Sequence, residues 1–102
     1  MLESAISKPI YQALTDLTQE PRLEVALSLA VKDLVRLRLK EARKRRMTFE
    51  RRYKMDFEAF KRAWDEGRIA DKHSYAVERD YWEWEATVTD EERLLQMVAS
   101  LS

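Results

Sequence analysis

The sequence contains no cysteine, which excludes disulfides, thiolate metal sites and a cysteine nucleophile, and fits a cytoplasmic location. It has one glycine and two prolines in 102 residues, far fewer than the turns of a sandwich, a barrel or a doubly wound sheet require. His73 is the only histidine. With scattered carboxylates such as Asp71, Glu78 and Asp80 it lacks the dense ligand pattern of a zinc or di-iron site, so no metal and no other cofactor is expected. Glycine-rich phosphate loops, a nucleophile elbow and a spaced Ser, His and Asp set are all missing. Carboxylate pairs abound, but a chain that is 37% charged makes them by chance. The expectation is a protein that is not an enzyme. No window approaches the roughly 18 uncharged apolar residues of a membrane span, and Glu3 ahead of Lys8 does not open a secretory leader. Neither export nor a membrane partner is expected.

What the chain does have is 45% hydrophobic residues, enough for a core, in a length that suits one domain. Scarce turn residues and helical spacing together predict a single all-α domain, residues 1–102, of about five helices. An N-terminal arm and short helix occupy 1–20, with the helix from about Pro9 to Leu17. Glu20 and Pro21 then punctuate the chain and start a long central helix over 21–54. Leu23, Leu27, Ala30, Leu34 and Leu37 recur at four-three-four-three spacing, and Ala26, Val31 and Val35 widen the stripe. Helical from Pro21 to Met47, the segment is about 40 Å long, against a radius of gyration of about 13 Å for a 100-residue globule. An elongated subunit follows, and a homodimer assembled through Leu23, Leu27, Ala30, Leu34 and Leu37.

The acidic aromatic region 56–102 supplies the remaining helices. Asp56 reads as an N-cap, Met55 and Phe60 as a hydrophobic staple, and Gly67 as the stop of a short helix burying Phe57, Phe60 and Trp64. Ser74 or Asp71 caps a fourth helix to about Ala86. Thr89 and Glu92 match a capping box for a fifth, carrying Leu94, Leu95, Met97, Val98 and Leu101.

Charge is balanced overall, 19 basic against 19 acidic, yet segregated along the chain. From Lys32 to Lys54 there are eleven basic and three acidic residues, a local plus eight; from Asp56 to Arg93 there are twelve acidic and six basic, a local minus six. Lys40, Arg43, Lys44, Arg45, Arg46, Arg51 and Arg52 are candidates for phosphate contacts of a nucleic-acid-binding regulator built on the basic helix 36–54. The competing reading is a solvated helix end whose cations pair with the chain's own acidic half.

A second feature is the run Asp80-Tyr81-Trp82-Glu83-Trp84-Glu85, with Tyr75 and Glu78 one or two turns earlier. On a helix Trp82 and Trp84 diverge by about 200°, so one apolar face cannot bury both. One of the two is therefore available to a partner. Aromatics mixed with carboxylates can stack like bases and carry charge like phosphates, and so block the basic groove of an RNA-binding protein. Phe57, Phe60, Trp64, Tyr75, Tyr81, Trp82, Glu83, Trp84 and Glu85 form the expected partner-binding set; the alternative is that Tyr81 and Trp84 are core and the carboxylates solvated.

The stretch Phe49-Glu50-Arg51-Arg52-Tyr53-Lys54-Met55-Asp56-Phe57-Glu58-Ala59-Phe60, with the ending Tyr81-Trp82-Glu83-Trp84-Glu85, resembles small prokaryotic antitoxin-like proteins of type II toxin-antitoxin pairs. In these a basic helical segment leads into a Phe-rich motif and an acidic, Trp-containing tail. The likeness covers residues 49–85, about a third of the chain. It implies a non-enzymatic partner that neutralises a small cytosolic toxin, typically one acting on RNA, through the acidic aromatic half.

Overall fold

A computed structural model describes residues 6–101; residues 1–5 of the expected N-terminal arm, and residue 102, lie outside the described residues. Four helices form the regular structure among the described residues: α1 (Lys8–Thr18), α2 (Leu23–Tyr53), α3 (Phe57–Asp65) and α4 (Tyr75–Leu101). The all-α expectation holds, but with four helices instead of five. The fourth and fifth expected helices are one continuous α4, and Thr89 is an interior, exposed residue of it, not a cap. Two facts explain the continuity. No glycine or proline interrupts the chain after Gly67, and the residues facing α2 recur at three-four spacing from Asp80 through Trp84, Thr87, Glu91, Leu94 and Val98 to Leu101, all buried or half-buried. A seam kept in register along the helix outweighs a local capping signal.

α2 and α4 are antiparallel. Arg52 meets Asp80, Arg46 meets Glu91, and Val35 packs with Leu94, Val98 and Leu101, so one index falls as the other rises. The matching seam on α2 runs Val35, Leu39, Ala42, Arg46, Phe49, Tyr53, again at four-three spacing. The result is a two-helix rod with extents of 57 × 26 × 21 Å and a radius of gyration of 19.6 Å, well above the compact value.

The leucine stripe, read from the sequence as a dimer surface, is not the face on which α4 docks. Its first member, Leu23, is buried together with Ala26 where α1 lies back against the start of α2, on the side of α2 away from α4. Leu27 and Ala30 are half-buried, and Leu34 and Leu37 are about half exposed, at 52% and 51%. α1 is held by its turn: Gln19 takes a left-handed φ of 57°, the Tyr11 hydroxyl donates to the Pro21 carbonyl at 2.9 Å, and Arg22 donates through its backbone N–H and Nε to Glu20 Oε1.

α2 ends without glycine. Lys54 adopts a left-handed φ of 57° and its N–H donates to the Glu50 carbonyl, closing the helix as a C-terminal cap does. Two residues on, the Asp56 carboxylate accepts from the Ala59 N–H at 2.8 Å and starts α3, as its sequence position predicts. Gly67, at φ 72°, follows α3, and Ser74 caps α4 by accepting from the Val77 N–H at 3.3 Å. Phe57, Phe60 and Ala63 of α3 are buried against the end of the rod, giving a second core around Phe49, Phe57, Phe60 and Trp84.

Candidate functional site

Trp84 shows what positions the aromatic region. It has no solvent exposure, and its ring stacks on Phe49 at 5.5 Å and Tyr53 at 5.7 Å, with Phe60 at 4.9 Å and Phe57 at 5.4 Å. Its indole N–H is buried without an acceptor, a cost that only close packing of five rings offsets. Trp64 and Tyr81 are half-buried at the edge of the same cluster, 4.7 Å apart by ring centroid. Burial pushes the Tyr81 hydroxyl above its usual range. Phe57, Phe60 and Trp84 are thus scaffold, and their place in the expected partner-binding set is corrected: all three are buried within the chain.

The opposite side of α4 carries what does. Trp82 is 65% exposed and Tyr75 is 79% exposed, seven residues and about 10.5 Å apart along the axis, within about 20° of each other. Arg79 lies between them, its guanidinium 5.7 Å from the Tyr75 ring centroid and 3.9 Å from Glu83. Glu83 and Glu85 are exposed and Glu78 is half-exposed beside them. The two aromatic rings thus share one solvent-facing strip because Trp82 diverges from Trp84, with Glu78 and Glu85 along one flank of it and Glu83, about 200° from Glu85, along the other beside Arg79. His73 is 88% exposed, 3.9 Å from Glu78. Among the described residues no three carboxylate or imidazole groups come together as a metal site would need.

The basic residues divide in three. Some are consumed by the rod: Arg46 donates to Glu91 through Nε at 2.7 Å and Nη2 at 3.2 Å, and to Glu50 at 2.9 Å, while Arg52 donates to Asp80 at 2.8 Å. The same Asp80 oxygen accepts from the Tyr53 hydroxyl at 2.6 Å. These bonds, to Glu91 and to Asp80, raise both guanidinium pKa values, and burial followed by the Asp80 bond pushes Tyr53 up to about 12. Arg45 belongs to the far side of α2, with Arg38, Glu41 and Asp90. Lys40, Lys44 and Arg51 remain together on the outer face of α2, with Arg43 at its edge, 3.5 Å from Glu91. Arg36, outside the sequence-read set, joins that face; the 3.6-residue period applied to charged positions alone could have found it.

The fold and surfaces define the class: an elongated all-α protein, an antiparallel two-helix rod with a short helix at each end and separate acidic-aromatic and basic faces. No helix of the described residues is long and apolar enough to cross a membrane. No protein-family model, curated protein or solved structure matches the chain.

Proposed function

We propose that this chain is a non-enzymatic protein-protein interaction module, antitoxin-like, which neutralises a small basic toxin in the cytoplasm by laying the outer face of α4 into the toxin's active groove. The observation that carries this reading is the exposure of Trp82 and Tyr75 on one face of α4, flanked by Glu78 and Glu85 on one side and by Glu83 on the other. Exposed Trp and Tyr are the residue types that anchor interfaces. The rings supply apolar area and the carboxylates match the charge of a groove built to hold RNA. We further propose that two copies pair through the part of the leucine stripe that α1 leaves open, Leu27, Leu34 and Leu37, flanked by Val31, which is 46% exposed.

The test is the affinity, by calorimetry, for the small basic protein encoded beside this one. Tyr75→Ala with Trp82→Ala is expected to weaken binding about 30-fold or more, the effect of losing one interface hot spot. Unchanged affinity defeats the assignment.

A further inference from the structure

We propose that the outer face of α2 is a second binding surface, a strip for the phosphate backbone of B-form duplex DNA that does not read base sequence. At 100° per residue, Arg36, Lys40, Arg43, Lys44 and Arg51 fall within an arc of about 100° centred near Met47, and they span about 22 Å of helix axis. The α4 seam, along Val35, Leu39 and Ala42, lies to one side of that arc and leaves it open. Lys40, Lys44 and Arg51 have no carboxylate within ion-pair distance among the described residues, and Arg36 meets Asp33 only at 3.8 Å with both side chains largely solvated. Glu41 pairs with Arg38 on the far side of α2, and Glu50 is held by Arg46 at 2.9 Å. The ion pairs of the rod thus hold Glu41 and Glu50 away from Lys40, Lys44 and Arg51, while Arg43, 3.5 Å from Glu91, marks the edge of the strip.

The chemistry of the strip selects the anion. Single-stranded nucleic acid is gripped by aromatic stacking, and the arc holds no aromatic residue. A membrane-surface helix needs an apolar band below its cations, whereas the arc offers Met47 alone, 47% exposed. Double-stranded RNA hides its major groove from side chains. In B-form DNA the groove is about 12 Å wide, which admits a helix of about 10–12 Å diameter, and phosphates line it over the length of the strip. No amide side chain stands in the arc to pair with adenine, and in the proposed binding mode its lysines and arginines meet phosphate and not guanine edges, so affinity is independent of sequence. This inference does not rest on the α4 surface.

The test is fluorescence anisotropy of the full chain with a labelled 20-base-pair DNA duplex at increasing salt. About five neutralised phosphates give a log-log slope near −4.5, or about 500-fold weaker binding between roughly 50 and 200 mM salt. Lys40→Gln, Lys44→Gln and Arg51→Gln together abolish measurable binding. Removal of three charges elsewhere, by Arg38→Gln, Arg45→Gln and Arg62→Gln, leaves it within a few-fold, with circular dichroism confirming helix content in both variants. Absence of binding at low salt, a flat salt response or equal loss in the two triple variants overturns the proposal. So does tighter binding to single-stranded DNA, duplex RNA, an acidic peptide or anionic vesicles.

Discussion

Two tryptophans two residues apart are placed on opposite sides of α4, and their substitution separates stability from binding. Trp84→Ala empties a site with no solvent exposure that is walled by four other rings. Truncating a buried Trp costs about 3–5 kcal/mol, and each ring pair adds about 0.5–1.5 kcal/mol beyond area. These figures overlap and are not summed, so about 4 kcal/mol is expected. A domain of this size has a total stability of about 5–15 kcal/mol, so the variant stands near the limit of folding. With a urea slope of about 1.5 kcal/mol per molar, the unfolding midpoint falls by roughly 2–3 M, read by far-ultraviolet circular dichroism. Trp84→Phe keeps a ring in place and removes the buried N–H that finds no acceptor. Its cost is accordingly far smaller, within about 1.5 kcal/mol. Trp82→Ala moves the midpoint by less than about 0.5 kcal/mol equivalent, as an exposed position should, while weakening partner binding. A loss below about 1 kcal/mol for Trp84→Ala, or equal losses at the two positions, would refute the packing argument.

Three further outcomes follow from the polar contacts and the open stripe. Arg46 and Glu91 occupy seam positions, with side chains 30% and 12% exposed; Glu91→Leu alone leaves Arg46 short of its main partner and costs about 1–3 kcal/mol. Adding Arg46→Leu returns the midpoint to the parent value or above it, and a double variant less stable than the single would contradict the seam assignment. Tyr53 holds its proton to about pH 12 in the fold, against about 10 unfolded. Its contribution is full below pH 10 and is lost as pH rises through 12, so Tyr53→Phe flattens the stability curve over that window; parallel curves would reject the shift. Leu34→Asp leaves the chain folded because Leu34 is 52% exposed, and it shifts the mass by light scattering from dimer to monomer. A parent chain that is monomeric at micromolar concentration would remove the pairing proposal.

Much of this architecture is written in short-range pattern. The lack of glycine and proline between Arg22 and Glu66 leaves a long helix without an interior breaker, and Asp56 and Ser74 act as caps because a side-chain oxygen satisfies a free N–H three residues ahead. The 200° divergence of Trp82 and Trp84 is likewise a property of the helix period; which of the two is buried is not. That choice came from Phe49, Tyr53, Phe57 and Phe60, brought to Trp84 from α2 and α3. The true α2 seam escaped the sequence reading because one of its members is Arg46, whose partner Glu91 lies 45 residues away; a charged residue hides a heptad until its counter-ion is known. Leu34 and Leu37, the better hydrophobes, were left outside because α4 docks along Val35, Leu39 and Ala42. The same docking carried α4 through Thr89 and decided which cations stay unpaired on α2. Local dihedral preferences and caps act within a turn or two and so belong to the sequence by itself, whereas the choice of face, partner and unpaired charge depends on contacts between segments far apart in the chain and was made only by the tertiary structure.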